Sequence, residues 1–503
     1  MEFIIAYDIG TGGIKASLYG EGMKTLSKTF VEYPTYFPAP GHQEQKPSDW
    51  WNAFCLSTKR LLEQSSVNPC GISGLAISGA SLVCIPFDGN GNALSDTVPI
   101  WSDKRACDEA EEFFAVIPEE DWYSVTGNGF PAPSYPLFKL MWLRRHKPEI
   151  FKRTKFVLGT KDYINYRLTG KIATDYSYCS GSGAYNLIKK RMEHRFLDAA
   201  CIPASFFPEP QSSDTFVGTI LPAVAKEIGL SDTTKVFLGG VDNACTALGT
   251  VGICPGKAYV SLGTSSWIPV NCTAPILDVK TKPYTFAHIR DDLFTSAYSI
   301  FSGGNSLRWM RDTLCKDIGG YDDITERAKL SPPGANGVMF QPGLAGGTTQ
   351  DKSIYLRGGF FGITLGTTRN DMIRAVYEGV AFNLKTSLNL LKAKCDVSDA
   401  IVFCGGGSKS DFWLQVFADI FGTAAVRTNI DQDAATLGAA ACAAKGLKWY
   451  SDYSFVEQLQ KTDFTAYPNA GNARIYEKLF PLFEMLNEYA SDYGDSLHRI
   501  TKQ

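Results

Sequence analysis

Several kinds of active site are not expected because the sequence lacks the residues they need. Only five histidines occur among 503 residues, and none lies in a His-Glu-x-x-His motif, which argues against a dedicated zinc site. No Gly-x-x-x-x-Gly-Lys-Ser/Thr motif is present for a P-loop nucleotide site, and no Gly-x-Ser-x-Gly motif for a hydrolase nucleophile. The thirteen cysteines include no Cys-x-x-Cys pair and lie mostly in apolar stretches, as reduced core thiols do.

No excess of one charge and no long apolar run is present either. The net charge is −3 with both signs interspersed, so the basic footprint of a nucleic-acid-binding protein is absent. No apolar stretch has the length of a membrane span, and the first residues enter a strand-like run without a basic region and signal core. We therefore expect a cytoplasmic protein of two to four domains that binds neither nucleic acid nor membrane.

What the sequence does contain is a glycine-rich turn between two apolar runs near its start. Ile4 to Tyr7 is followed by Asp8, by the turn Gly10-Thr11-Gly12-Gly13 and by a second apolar run that ends at Tyr19. Glycines let the backbone turn with positive φ and let another group approach its N–H donors. Because burying an unpaired carboxylate is costly, Asp8 is expected at a cleft, or solvated by a metal or bound water. An ordinary hairpin with a tolerated edge aspartate is the alternative.

The same pattern occurs a second time, about half a chain later, between residues 258 and 268. Ala-Tyr, an apolar residue, Gly-Thr, two small residues and Ile recur there, with one extra residue in two places. This repetition predicts two related domains, residues 1–250 and 251–503, each opening with a hairpin whose turn presents N–H and hydroxyl groups. Two such turns that face each other could hold a polyphosphate.

Strand-like and helix-like segments alternate along the chain. Ser48 is the expected N-cap of a helix that runs to about Gln64. From Asp371 to Leu391, apolar residues three or four apart form one face of a long helix. Residues 434–444 are small and apolar throughout, which fits a helix packed closely on a sheet. The predicted fold class is therefore α/β.

Asp242 is the first candidate for a general base. It follows the short apolar strand 236–238 and two glycines that leave room for a ligand, at the point where a helix begins. Ligands in α/β folds bind at the carboxyl ends of strands. Capping the helix is the alternative role for this aspartate, and one residue can do both.

A triglycine loop, Gly405–Gly407, precedes a helix in the second half and suits close approach of a nucleotide to backbone donors. The main alternative interpretation of these glycine-rich segments is a dinucleotide-dependent oxidoreductase. It would need a strict Gly-x-Gly-x-x-Gly fingerprint, whereas the turn at residues 10–13 is followed by a returning strand rather than a helix. Phosphoryl transfer fits better, because it depends on positioning and electrostatics, and an aspartate can take the proton of an attacking alcohol.

Several long, ordered motifs resemble the FGGY carbohydrate kinases, which phosphorylate sugars and polyols with ATP. The resemblance covers nearly the whole chain, although the family more often has Gly-Thr-Ser-Ser in the first turn. The matching segments are Asp8–Gly13, Pro40–Trp51, Gly240–Asn243, Ser261–Ser266, Gly358–Ile363 with Asp371–Met372 and Ala375–Glu378, and Cys404–Trp413. The fold that this resemblance implies is a pair of actin-like (ribonuclease H-like) domains with an active-site cleft between them.

Carried over position by position, the resemblance implies a role for each matching residue. Asp242 would be the general base on the sugar hydroxyl, and Asp8 would act through Mg²⁺ or its water. The ATP phosphates would be held by Thr11, Gly12, Gly13, Gly263 and Thr264, with Gly304 also contacting the nucleotide and Gly406 and Gly407 lying against adenosine. The residues in substrate-lining segments would be Ser81, Trp101, Asp103, Asp242 and Asn243. The resemblance also implies a homodimer.

The substrate is less well defined than the chemistry. The overall pattern is most similar to xylulokinases, which implies phosphorylation of D-xylulose to D-xylulose 5-phosphate. Xylulokinases usually carry Gly-Gln-Met-His-Gly where this chain has Gly79–Val83, so leucine replaces an imidazole that is expected to meet sugar hydroxyls. Because a site built to bind hydroxyls rejects analogues sharply, this change can alter the sugar.

Two alternatives therefore stay open. One is a kinase for another ketose or polyol: D-ribulose, L-ribulose, L-fuculose, erythritol or glycerol. The other is a catalytically inactive actin-like ATP-binding module that senses a ligand and regulates a partner.

Overall fold

The structure, a computed structural model, describes residues 2–129 and 131–501. Its strands are β1 Phe3–Ile9, β2 Gly13–Tyr19, β3 Thr25–Glu32, β4 Glu44–Gln45, β5 Ile72–Gly79, β6 Ile85–Phe87, β7 Val98–Pro99, β8 Phe156–Leu158, β9 Thr174–Asp175, β10 Tyr185–Asn186, β11 Arg191–Met192, β12 Pro210–Gln211, β13 Phe216–Thr219, β14 Lys235–Phe237, β15 Gly240–Val241, β16 Tyr259–Leu262, β17 Ser266–Cys272, β18 Tyr284–Ala287, β19 Phe294–Ile300, β20 Met339–Gln341, β21 Gly359–Phe361, β22 Ala400–Cys404, β23 Ala424–Thr428 and β24 Thr462–Ala466.

The α-helices lie between these strands. They are α1 Pro47–Ser65, α2 Cys107–Phe114, α3 Glu119–Thr126, α4 Pro136–His146, α5 Pro148–Arg153, α6 Thr160–Thr169, α7 Tyr176–Ser180, α8 His194–Ala200, α9 Pro222–Ile228, α10 Asp242–Val251, α11 Gly303–Leu314, α12 Tyr321–Lys329, α13 Arg369–Lys392, α14 Asp411–Phe421, α15 Ala434–Gly446, α16 Phe455–Leu459 and α17 Ala470–Thr501. Helices and strands alternate, which confirms the predicted α/β class.

Two seven-stranded sheets with the same central order form the centre of the molecule. The first runs β13-β14-β5-β1-β2-β3, with β15 also paired to β5, and the second runs β18-β19-β17-β16-β22-β23-β24. In each sheet an antiparallel hairpin, β1–β2 or β16–β17, lies beside a parallel neighbour, β5 or β22. The repeated turn seen in the sequence is therefore the start of a repeated sheet.

The burial of the strands follows from their place in the first sheet. The central strand β1 is apolar along nearly its whole length and buried on both faces. The edge strand β3 alternates between exposed and partly buried residues until Val31, as expected where only one face is covered. Helix α1 packs on β2 and β3 with Trp50 and Phe54 fully buried.

Helices α10 and α15 cover the other face of this sheet and approach each other closely. A Cβ atom on Gly249 would lie 2.0 Å from the carbonyl oxygen of Ala434, and one on Gly438 would lie 2.1 Å from that of Cys245. Helix α15 also packs on β1 and β5, as the small apolar sequence of residues 434–444 predicts. A helix from the second half of the chain thus completes the core of the first sheet, and the division at residue 250 stays a prediction.

Two helix starts illustrate where local sequence rules hold and where they fail. Helix α13 begins at Arg369 behind a capping box, in which Thr368 and Asp371 exchange hydrogen bonds, and it contains the predicted face. The prediction that Ser48 caps α1 is wrong. Lys46 is the N-cap and Pro47 is the first helical residue, because proline fits the first turn, where no hydrogen-bond donor is needed.

No helix in residues 2–129 and 131–501 combines the length and the apolar character that crossing a bilayer requires.

Candidate active site

The carboxyl ends of three parallel strands of the first sheet bring Asp8 and Asp242 together. Asp8 is paired with Ser78 across β1 and β5, and Ser78 is paired with Gly240 across β5 and β15. Asp242 follows β15 directly and opens α10. Two carboxylates that are far apart in the sequence therefore share one end of the sheet, which is where ligands bind in α/β folds.

Asp8 is held in a polar contact that the sequence motif does not reveal. The hydroxyl of Ser78 donates a hydrogen bond of 2.9 Å to its carboxylate. Burial raises the pKa of Asp8, while the positive charge of Lys15 and the Ser78 hydrogen bond act in the opposite direction. Lys15 and Ser78 thus offset only part of the cost of burying the Asp8 carboxylate, and a bound cation would stabilise its charge further.

Asp242 has the properties of a base that is ready to take a proton near neutral pH. Burial, together with the negative charge of Asp8, raises the pKa of Asp242 to about 6. The backbone N–H of Asn243 donates to its Oδ1 at 2.8 Å, and this bond and those from Ser81 moderate the rise. A catalytic base works best when its pKa lies close to the working pH.

The expectation that the two glycines before Asp242 leave room for a ligand is wrong. Both are needed because other parts of the protein pack closely against them. Gly239 has φ of +66°, and a Cβ there would lie 2.0 Å from the carbonyl oxygen of Ile77. A Cβ on Gly240 would lie 2.2 Å from the Cδ1 atom of Ile289. Both glycines let the chain pass close to β5 and its neighbours, and in this way they fix the position of Asp242.

The first glycine turn lies at the same end of the sheet and leaves Thr11 and Gly12 exposed. The amide of Gly10 donates to the carbonyl of Gly13 at 3.0 Å, which closes the turn. The side chain of Gln45 donates to the Thr11 carbonyl at 2.7 Å, and the indole of Trp101 donates to the Thr11 hydroxyl at 3.1 Å. The turn is followed by strand β2, as expected, and not by the helix of a dinucleotide fold.

The second turn, the start of α11 and the triglycine loop line a single cavity of about 780 Å³. The N–H of Gly304 donates to the Gly263 carbonyl at 2.8 Å, and the N–H of Asn305 donates to the Thr264 carbonyl at 3.0 Å. Gly406 and Gly407 line the same cavity. Five of the predicted nucleotide-binding positions therefore meet in a space of the size that small-molecule ligands occupy.

The predicted nucleotide-site glycines differ in what surrounds them. A Cβ on Gly12 or Gly406 would meet nothing within 4 Å, so both positions face open space. A Cβ on Gly13 would lie 2.5 Å from the Val31 carbonyl oxygen, and one on Gly304 would lie 2.5 Å from that of Gly263. A Cβ on Gly407 would press on Leu262 and Trp413, so this glycine, like Gly13 and Gly304, is required for packing.

The predicted substrate-lining residues are not all at the surface of the cleft. Trp101 is 41% exposed and Ser81 is partly exposed. The Oδ1 atom of Asn243 is buried without a hydrogen-bond partner, which leaves an acceptor available. The carboxylate of Asp103, in contrast, is fully buried and accepts hydrogen bonds from the Arg105 side chain and the Gln43 N–H.

Lys139 is a site residue that the sequence analysis did not identify. Its buried ammonium group donates to the carbonyl of Leu82 at 2.7 Å and to that of Ile100 at 2.8 Å, and so joins the two loops that carry Ser81 and Trp101. Burial lowers the pKa of Lys139 to about 8. Leu82 has φ of +60°, a left-handed conformation that is strained for leucine. A single lysine inside the apolar run of α4 is the signal that could have identified it.

The carboxylates fit a magnesium ion better than a metal held entirely by protein. Within the described chain, no group of three or more His, Cys, Asp or Glu residues could hold an ion. Mg²⁺ typically takes one or two carboxylates and fills its other positions with water and substrate phosphates. Asp8, beside an exposed glycine turn, offers one such carboxylate, and Asp242 stays free to act as a base.

Comparison with known proteins gives one family for both halves of the chain. The N-terminal domain model of the FGGY family of carbohydrate kinases matches residues 3–249, and the C-terminal domain model matches residues 258–447. This result removes the dinucleotide oxidoreductase alternative.

Individual relatives extend over the full length. The chain is 31% identical to the xylulose kinase of Bacillus subtilis (strain 168), with 100% of each chain covered. It matches the structure of ligand-bound xylulose kinase from Lactobacillus acidophilus with a TM-score of 0.92 and 28% identity, covering 98% of this chain and 100% of that chain. The gluconate kinase from Lactobacillus acidophilus gives a TM-score of 0.91 and 27% identity, with 98% and 99% covered.

Proposed function

Because the chain belongs to the FGGY family of carbohydrate kinases, we propose that it transfers the γ-phosphoryl group of ATP to a hydroxyl of D-xylulose, giving D-xylulose 5-phosphate. The observation that carries the chemistry is Asp242, a partly buried carboxylate with a raised pKa of about 6, at the same end of the sheet as Asp8 and the first glycine turn. The full-length similarity to the xylulose kinase of Bacillus subtilis supports the sugar.

In this proposal Asp242 is the general base. Its carboxylate accepts the proton of the sugar hydroxyl while the hydroxyl oxygen attacks the γ-phosphorus, and the bond to the β-phosphate oxygen breaks as ADP leaves. The Asn243 N–H keeps the carboxylate oriented. Asn243 Oδ1, Ser81 and Trp101 are proposed to bind sugar hydroxyls. Asp103 is proposed to act indirectly, by holding the Arg105 side chain in place.

The two turns are proposed to hold the ATP phosphates with backbone N–H groups and hydroxyls. These groups come from Thr11, Gly12 and Gly13 in the first turn, and from Gly263 and Thr264 in the second, with Gly304 beside them. Gly406 and Gly407 are proposed to lie against adenosine. Asp8 would hold Mg²⁺ through water, and a bound Mg²⁺ supplies charge that stabilises the phosphates.

Replacing Gly406 with valine is expected to raise the KM for ATP about tenfold or more, with little change in thermal stability. A Cβ at this position would have no protein atom within 4 Å, so the valine side chain would project into the space proposed for adenosine. Gly366→Val, on an exposed loop with room for a side chain, is the control. An unchanged KM for ATP in Gly406→Val would contradict the adenosine assignment.

The activity is expected to fall in acid as Asp242 becomes protonated. Because the base must be ionised, kcat/KM for the sugar should be level above about pH 7 and fall about tenfold per unit below the pKa of Asp242, about 6. Ser81→Ala should move this fall to higher pH, since the hydrogen bond from the Ser81 side chain lowers the pKa of Asp242. A fall centred near pH 4, the range of an ordinary aspartate, would contradict the assignment.

D-Gluconate is the second candidate substrate, because a gluconate kinase has nearly the same structural similarity. A carboxylate substrate would be favoured by a free cation, yet the two buried cations beside the substrate loops are engaged. Lys139 is bound to two carbonyls, and Arg105 is paired with Asp103 and Glu44. This arrangement favours an uncharged sugar.

Product analysis tests the proposed reaction. The protein is incubated with Mg-ATP and D-xylulose, and phosphorus–carbon couplings in the NMR spectrum identify the phosphorylated carbon. Phosphate on the terminal carbon of the 5-phosphate is expected. ATP binding without any sugar-dependent product, for D-xylulose and the other candidate sugars, would favour the ligand-sensing alternative.

A further inference from the structure

Two cysteines outside the cleft, Cys272 and Cys395, are brought together although they are far apart in the sequence. Cys272 is the last residue of β17, and Cys395 lies three residues beyond the end of α13. Both line an open cavity of about 710 Å³, and each side chain shifts the pKa of the other. The Cys272 thiol donates to the Val270 carbonyl at 3.7 Å, and the Cys395 thiol donates to the Leu391 carbonyl at 3.5 Å. Cys272 is buried and Cys395 is partly exposed. Neither residue belongs to the proposed catalytic machinery.

The two thiols differ in their pKa and in their exposure, and therefore in their reactivity toward oxidants. The neighbouring Cys272 side chain lowers the pKa of Cys395, and every other shifted cysteine pKa in the described chain is raised. Thiolates, and not thiols, react with oxidants, and reactive cysteines are partly exposed. Cys395 is therefore the thiol that reacts first, with Cys272 beside it as the partner.

The pair flanks the segment that connects the two halves of the chain. The N–H of Gly256 donates to the carbonyl of Asn271 at 2.8 Å, and the N–H of Ser398 donates to the carbonyl of Gly256 at 2.9 Å. Gly256 has φ of +78°, and a Cβ there would lie 3.0 Å from the Asp396 carbonyl oxygen. The connecting segment is thus held between the neighbours of Cys272 on one side and those of Cys395 on the other.

We propose that Cys272 and Cys395 form a reversible disulfide with peroxide, and that this bond restrains the connection between the two halves. The Cys395 thiolate attacks one peroxide oxygen, the O–O bond breaks and hydroxide leaves, which gives a sulfenic acid. The Cys272 sulfur then attacks the Cys395 sulfur, the S–O bond breaks, and water leaves with the Cys272 proton. The two sulfurs together lose two electrons as one peroxide is reduced, and a dithiol restores both thiols by exchange.

The bond has a consequence for turnover, and this part rests on the proposed function. Cleft closure in a sugar kinase requires the two halves to move about their connection. Helix α13 also reaches from the nucleotide cavity, which Tyr377 lines, to the segment that carries Cys395. A covalent link between β17 and this segment should therefore lower kcat.

The test begins with a readout that needs no activity. The full-length protein is treated with dilute hydrogen peroxide, the remaining thiols are alkylated, and the protein is digested without reductant for mass spectrometry. A linked peptide that joins Cys272 to Cys395 is expected in the wild type and in the control Cys254→Ser, a variant of another half-buried cysteine. It should be absent from Cys272→Ser and Cys395→Ser. Sulfinic acid at Cys395 without the link, or links only between other cysteines, would overturn the proposal.

Turnover is then measured on the same samples. The oxidised wild type should lose at least half of its kcat for D-xylulose and regain it with dithiothreitol, while Cys395→Ser keeps its rate through both treatments. A linked peptide with unchanged kcat would overturn the restraint. If the protein turned over no sugar at all, the proposed function would fail while the peptide result still decided whether the disulfide forms.

Discussion

Asp242→Asn is expected to lower kcat for the sugar by about 10²–10⁴-fold, the range that a general base contributes. Asparagine keeps an oxygen that can accept the Asn243 N–H, so the start of α10 is preserved while the proton acceptor is lost. The affinity for ATP should stay within about twofold, because Asp242 is proposed to contact the sugar and not the nucleotide. Coupled ADP release at saturating ATP, together with nucleotide titration, measures both quantities.

The same variant separates catalysis from a purely structural role. The capping role considered for Asp242 is wrong, because Val241 is the N-cap of α10 and Asp242 is the first helical residue. If Asp242 only held the Asn243 N–H, asparagine would replace it with nearly full activity. Removing the charge also removes the repulsion between Asp242 and Asp8, so the melting temperature should not fall. Full turnover in Asp242→Asn would contradict the assignment of the base.

Asp8→Asn is expected to lower kcat by about 10- to 100-fold, as for a group that acts on a metal through water. The magnesium concentration that gives half-maximal activity should rise, because the carboxylate proposed to hold Mg²⁺ through water is lost. The remaining activity should have its acid limb at lower pH, since the charge of Asp8 raises the pKa of Asp242. Rates measured across magnesium concentration and pH test all three effects.

A surface aspartate supplies the control for this variant. Asp121→Asn removes a carboxylate on α3 that is 46% exposed and ion-paired with Arg195 of α8. It should leave the magnesium dependence and the pH profile as in the wild type. An Asp8→Asn protein with normal magnesium dependence and an unmoved acid limb would contradict both proposed roles of Asp8.

The repeated hairpin allowed the overall architecture to be predicted from the sequence. Its two copies form the hairpins β1–β2 and β16–β17, which lie at equivalent positions in two sheets whose central strands follow the same order. The place of α15 could not be predicted. Its small residues indicate close packing, but no local pattern says that a helix so late in the chain lies on β1 and β5. The homodimer and the domain boundary stay predictions.

For the site, residues within a motif were easier to identify than residues that tertiary contacts supply. Asp8 and Asp242 stood out beside their glycines, whereas Ser78 and Lys139 act through strand pairing and through contacts between loops. Gly239 and Gly240 were misinterpreted for the same reason. Their close neighbours come from β5 and from Ile289, which the local sequence does not identify.

The most direct test of the account is a comparison of sugars by coupled ADP release with Mg-ATP. The panel contains D-xylulose, L-xylulose, D-ribulose, L-ribulose, L-fuculose, erythritol, glycerol and D-gluconate. The account predicts the highest kcat/KM for D-xylulose, and a response that Asp242→Asn lowers by about 10²–10⁴-fold. A clear preference for D-gluconate or another sugar would contradict the proposed substrate, and sugar-independent ADP release across the whole panel would contradict the kinase itself.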